Sequence, residues 1–179
     1  MADTLVATFA TYNALVCSTK YLGSNDLGGV EWNSASESFD LSKVVFFIRR
    51  AGNIGDMLIW CEVKTDSGGV PGTTIGTSAS IGTLSYDDIG SLVTFTFTTK
   101  PSLTASTKYY FILNGNWTAP ELTGETQFFG ADSAGSDFHK WEMSSGTWQE
   151  NADQRIYIEI YKPEGGGTPI NIALAVGGS

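Results

Sequence analysis

The sequence predicts an all-β protein: an antiparallel two-sheet β-sandwich of jelly-roll-like form, with extended terminal arms. Three observations lead there. Apolar residues recur with period two over many short stretches, clusters of Gly, Asn, Asp, Ser and Pro punctuate those stretches, and no segment sustains an apolar period of 3.6 residues with capping residues. Many short strands joined by glycine-rich turns pack most simply as two stacked sheets, with a closed barrel as the other architecture of this class.

The elements can be taken in chain order. Leu5-Val6-Ala7-Thr8-Phe9-Ala10-Thr11-Tyr12 reads as a first strand or as an arm. Residues 43–49, Lys-Val-Val-Phe-Phe-Ile-Arg, form a continuous β-rich run expected at the centre of a sheet. The stretch from Met57 to Lys64 places Met57, Ile59, Cys61 and Val63 on one face and Trp60 on the other, where it is expected to face another layer. The alternation is clearest in Val93-Thr94-Phe95-Thr96-Phe97-Thr98, apolar on one face and threonine on the other.

Further strands are expected from Lys108 to Leu113, from Gln127 to Gly130, and from Arg155 to Tyr161, where Ile156, Ile158 and Ile160 face inward. Turn signals fall at Ala51-Gly52-Asn53, Asp66 to Gly72, Asp87 to Gly90 and Asn114-Gly115-Asn116. Met143-Ser144-Ser145-Gly146-Thr147 reads as a hairpin that brings Trp141 and Trp148 to one face as a cross-strand pair.

A chain of 179 residues suits one domain, since a sandwich of this length buries roughly two-thirds of its unfolded surface. Within it, residues 1–34 read as the N-terminal strand and arm region, 35–162 as the sandwich core, and 163–179 as a C-terminal strand or arm on a Gly-Gly-Gly hinge. In that last piece Ile170, Ile172, Leu174 and Val176 alternate with smaller or polar residues. Apolar surface left wet costs about 25 cal/mol per Å², so the piece is expected to dock. It either completes its own sheet or adds to the edge of a neighbour's.

Ten basic against nineteen acidic residues give a net charge of −9, which repels a phosphate backbone and excludes neither proteins nor sugars as partners. The basic residues are scattered, so no cationic stripe suits an anionic membrane. No secretory signal or membrane span is read at the N-terminus, so the chain is expected to be soluble and made in the cytosol. Cys17 and Cys61 lack metal or redox spacing and read as small buried hydrophobes, a disulfide being the alternative.

Candidate chemistry is sparse. The one histidine, His139, lies between aromatic residues and reads as a surface or locally bonded side chain, not a catalytic base. Asp87, Asp88, Asp132 and Asp137 are the candidate carboxylates, but they stand in turns where Asp serves the backbone, so no enzyme activity and no catalytic residue is expected. The same four are weak candidates for calcium, which takes oxygen ligands, although no Asp-x-Asp-x-Asp loop occurs. Trp117, Trp141 and Trp148 are candidate aromatic platforms for a glycan, packing against neighbouring strands being the competing role. Asn116-Trp117-Thr118 matches a glycosylation acceptor pattern and is read as chance.

From Glu37 onward an ordered set of features stands out: Ser38-Phe39-Asp40-Leu41-Ser42-Lys43-Val44, then Gly52-Asn53-Ile54-Gly55-Asp56, then Val63-Lys64-Thr65-Asp66-Ser67-Gly68-Gly69-Val70-Pro71-Gly72. It continues with Val93-Thr94-Phe95-Thr96-Phe97, Leu103-Thr104-Ala105-Ser106-Thr107-Lys108-Tyr109-Tyr110 and a late Trp148 before the strand from Arg155 to Tyr161. This order resembles the jelly-roll-like β-sandwich domains of phage virion proteins and of bacterial choice-of-anchor surface proteins. The resemblance implies an adhesive, carbohydrate-binding or structural module without activity of its own. A virion component made in the host cytoplasm, such as a capsid decoration or tail-fibre protein, follows from it, with other virion proteins or copies of itself as partners. The alternative is a glycan- or receptor-binding module of a cell-surface or secreted protein.

Overall fold

The computed structural model describes residues 2–10, 14–19, 26–51, 58–82, 90–116, 125–132 and 137–164. Fourteen strands and no helix occur among them: β1 (Asp3–Phe9), β2 (Ala14–Thr19), β3 (Asp26–Asn33), β4 (Phe39–Asp40), β5 (Lys43–Ala51), β6 (Ile59–Asp66) and β7 (Pro71–Thr77). They continue with β8 (Ser91–Thr96), β9 (Ser102–Leu103), β10 (Lys108–Gly115), β11 (Glu125–Asp132), β12 (His139–Ser144), β13 (Thr147–Ile156) and β14 (Ile158–Pro163).

The protein is an all-β sandwich of two large antiparallel sheets packed face to face, as the alternation predicts. One layer runs β1-β14-β5-β8, with β11 and β2 alongside; the other runs β13-β12-β3-β10-β6-β7. Within this path only β6–β7 and β12–β13 are hairpins of consecutive strands, so the chain crosses repeatedly between layers, as in Greek-key and jelly-roll architectures. The segment from Lys43 is central as expected, since β5 pairs with β8, β14 and β11.

Among the described strands, ladder pairing passes from one layer to the other through β13, and a single backbone bond from Ala79 N to Thr96 O at 2.8 Å links them again beyond β7. Thr147 to Asn151 pair with β12; past a shift in register Arg155 still faces His139 of β12 while Gln154 to Ile156 pair with β11 on the other side, and β14 carries on beside β5. The strand expected from Arg155 to Tyr161 is therefore broken at Tyr157, while Ile156, Ile158 and Ile160 all face the core as predicted. Gly130 sits opposite Ile156 at this join, and a Cβ there would collide with the Arg155 carbonyl oxygen. Only glycine lets β11 approach so closely.

The core between the layers takes alternate residues from both. Val30 and Trp32, Ile59, Cys61 and Val63, and Tyr109, Phe111 and Leu113 come from one layer. Val44, Phe46 and Ile48, Val93 and Phe95, and the three isoleucines come from the other. Phe46 meets Phe95 and Phe128 edge-on, the arrangement that ring quadrupoles favour. Cys61 is a free thiol with no exposure, and burial, followed by the neighbouring Glu62 charge, pushes its pKa well up, as befits an inert core residue. The side chain of Cys17 lies outside the described residues.

The N-terminal segment is an ordinary edge strand: β1 pairs with β14 from Asp3↔Pro163 to Phe9↔Ile158. The C-terminal alternation at Ile170, Ile172, Leu174 and Val176 lies outside the described residues. So do residues 52–57 and 83–89, on which most of the turns expected at Ala51-Gly52-Asn53 and Asp87 to Gly90 fall.

Candidate functional site

β10 is buried on both faces, and this directs attention to the outside of its layer. Tyr110 and Ile112 point away from the main core yet have no exposure. With Leu27 and Trp141 they form a second, smaller cluster, against which Met143 and Trp148 pack. The Tyr110 and Trp141 rings meet edge-on at 5.3 Å.

The register explains the gathering. Trp141 lies opposite Gly29 on one side and Glu150 on the other, so the outward positions of β3, β12 and β13 line up. Met143 lies opposite Trp148, and the turn between them has positive φ at Ser145 and Gly146, the type I′ geometry that suits a two-residue hairpin. The expected hairpin is thus present. Trp141 and Trp148 share its outer face, displaced diagonally by one pair.

Polar groups surround the aromatic floor. Glu31 is 2 % exposed, and its Oε2 accepts from Trp141 Nε1 at 3.0 Å and from Lys108 Nζ at 3.1 Å. Its Oε1 lies 3.2 Å from His139 Nδ1, which is also 2.8 Å from Glu150 Oε1. Among the described residues, Glu31, His139 and Glu150 each offer a ligand atom, all within 4.8 Å of one another. Tyr110 donates its hydroxyl to Asp66 at 2.7 Å, and burial, then that bond, raise its pKa.

Beside this cluster, the outer face of β6 holds a second carboxylate in a closed network. Glu62 accepts from Trp60 Nε1 and Asn114 Nδ2 on one oxygen, and meets Lys64 Nζ at 2.8 Å and the Thr74 hydroxyl on the other. Burial alone would raise its pKa, but the bonds from Lys64, Trp60 and Asn114 outweigh it and hold the carboxyl down at about 2. Trp60 therefore belongs to this outer network and not, as the sequence suggested, to the core of another layer.

A carboxylate held below its ordinary value of 4.5 contributes stability above that value and loses it as the pH falls towards 2. Urea titrations at a series of pH values should show stability falling by about 1–2 kcal/mol between pH 4.5 and 2 from this group alone. Glu62→Gln should flatten that part of the acid limb. An unchanged slope in the variant would show that Glu62 is not so held.

The residues singled out from sequence fall as follows. Trp141 is 4 % exposed, with its N–H committed to Glu31, so its faces are not presented to a ligand as an open platform. Trp148 is half-buried at the edge of the same face. Asp137 accepts from the backbone and side-chain amides of Asn33 at 2.8 and 2.7 Å, the backbone-bonding role expected of such a residue. Asp132 lies at the end of β11, with its side chain outside the described residues, as are Trp117, Asp87 and Asp88. His139 is locally bonded, as read, but its side chain is only 12 % exposed, and the two glutamates around it were not foreseen. Compared with known protein families and curated proteins, the chain matches no family model and no curated relative.

Proposed function

We propose that this chain is a non-enzymatic structural protein of a virion, a capsid decoration or tail-fibre component made in the host cytoplasm, which assembles through the edges of its sandwich. The observation that carries the reading is a pair of edge strands without a single charged side chain. β7 reads Pro-Gly-Thr-Thr-Ile-Gly-Thr and β8 reads Ser-Leu-Val-Thr-Phe-Thr. Among the described strands, β7 pairs only with β6 and β8 only with β5. Proteins that stay monomeric ordinarily guard such edges with charge. Here the edges instead expose Ile75 and Leu92, at 39 % and 55 %.

The C-terminal stretch, with Ile170, Ile172, Leu174 and Val176, supplies a segment of the same uncharged character, suited to strand addition on a neighbour. The ordered features from Glu37 to Tyr161 that resemble phage virion and bacterial surface sandwiches support the virion setting.

Sedimentation equilibrium of the purified chain tests the assembly step. The intact protein should self-associate or bind particles, and Thr94→Lys, which sets a charge on the outward side of β8, should weaken association at least tenfold. Deleting residues 165–179 should also weaken it. A monomer at all concentrations, together with no immunogold labelling of virions by an antibody against the chain, would overturn the proposal.

One observation favours a second reading, a glycan- or receptor-binding module of a surface or secreted protein. Half-buried Trp60 and Trp148 stand on the same outer layer as Asn114, Lys64 and Thr74, the mixture of aromatic and hydrogen-bonding groups that holds a sugar. Quenching of tryptophan fluorescence by a glycan, lost in Trp148→Ala, would support it; an empty broad glycan array would remove it.

A further inference from the structure

We propose that Glu31, His139 and Glu150 form a binding site for a divalent transition-metal ion, with Zn²⁺ as the best match, which clamps the β12–β13 hairpin to β3. The three residues come from adjacent strands, in the order β3, β12, β13. The inference is independent of the virion reading and concerns only this cluster.

Distance is the first argument. Zinc holds imidazole nitrogen and carboxylate oxygen tetrahedrally at about 2.0–2.2 Å, so neighbouring donor atoms around one ion sit about 3.3–3.6 Å apart. His139 Nδ1 lies 3.2 Å from Glu31 Oε1, close to that range, and 2.8 Å from Glu150 Oε1, a hydrogen-bonding distance that opens by about 0.5 Å when an ion enters. The third pair lies within 4.8 Å and closes by a small movement of Glu150, the most exposed of the three, whose side chain is 40 % exposed.

Preorganisation is the second. A ligating carboxylate is normally held by hydrogen bonds to its other oxygen, which fix its orientation. Glu31 has that arrangement: Trp141 Nε1 and Lys108 Nζ both bond Oε2 and leave Oε1 directed at His139. Burial of Glu31 at 2 % exposure on a rigid strand makes this oxygen a fixed point.

Charge is the third. Glu31 and Glu150 bring two carboxylates to one imidazole, with the ammonium of Lys108 3.1 Å from Glu31. The locus therefore favours an added cation. Its donor set of one imidazole and two carboxylates suits Zn²⁺, Co²⁺ or Ni²⁺ over Ca²⁺, which prefers six to eight oxygens. Three protein donors leave room for solvent on the Glu150 side.

Isothermal titration of the full chain with Zn²⁺ alone should give saturable binding with one ion per chain. At hundredfold excess over Kd the melting temperature should rise by about 5–10 °C. Co²⁺ in place of Zn²⁺ should give a visible d–d spectrum, and X-ray absorption should report only nitrogen and oxygen neighbours, including one imidazole. Glu150→Gln, at the exposed rim, should fold normally and bind at least tenfold more weakly, as should His139→Asn. No saturable binding up to about 1 mM Zn²⁺, or equal affinity in both variants, would overturn the assignment, the latter by showing that the ion sits elsewhere.

Discussion

Trp141→Ala should lower the unfolding free energy by about 3–5 kcal/mol, a large share of what holds a domain of this size together. Two losses combine. The indole is 4 % exposed and fills the space between Tyr110, Ile112 and Leu27 on the outside of its layer, so truncation opens a cavity that the rigid sheet beneath cannot close. Truncation also removes the N–H that bonds Glu31 Oε2 at 3.0 Å and leaves a buried carboxylate with one donor fewer. Trp141→Phe separates the two, because it keeps most of the ring and discards the N–H; it should cost about 1–3 kcal/mol. Urea denaturation followed by far-ultraviolet circular dichroism measures both. A loss below about 1 kcal/mol for the alanine variant would mean that this second cluster contributes little and that the outer face is a loose surface.

The architecture was legible in the sequence because its signal is local. In β8 the alternation holds from Val93 on: Val93 and Phe95 point inward while Thr94 and Thr96 face outward, as period two requires, and only Leu92 adds an apolar residue to the outward side. The three isoleucines of β13 and β14 and the Ser145-Gly146 turn are equally local signals. What could not be read is long-range register. The two-residue turn fixes Trp141 opposite Glu150 within the hairpin, but nothing in the sequence says that Trp141 lies opposite Gly29 on its other flank.

That pairing brings Glu31 to His139 and Glu150, residues separated by 108 positions in one case, and it turns a histidine read as peripheral into the centre of a charged cluster. A weaker signal was present: Glu31 stands between the apolar Val30 and Trp32 on a short strand rich in glycine, a charge placed where only a partnered one is tolerated. Trp60 shows the same limit from the other side: period two places Glu62 on its face of β6, but Asn114, which shares that carboxylate, is brought there by the register with β10 alone.

Gly130→Ala should destabilise the protein by about 3 kcal/mol or more, out of proportion to a single added methyl group. The reason lies in the join between layers. Between Gly130 and Asp132, β11 lies against β13 just past that strand's register shift, where Arg155 still faces His139 of β12, and an added Cβ would collide with the Arg155 carbonyl oxygen and lie 2.7 Å from its carbon. Both obstacles are backbone, so no side-chain rotation relieves them; β11 must withdraw, and the bonds from Gly130 to Asp132 go with it. The damage should spread unevenly. Withdrawal frees β13 at its register shift, so amide exchange should accelerate from Gln154 to Ile156 and in β11, while β6 and β10, at the far side of the other layer, keep their protection. If Gly130→Ala leaves exchange unchanged at Gln154 to Ile156, the two sheets are not held together at this point, and the continuous hydrogen-bonded path through β11 and β13 is not what unites the sandwich.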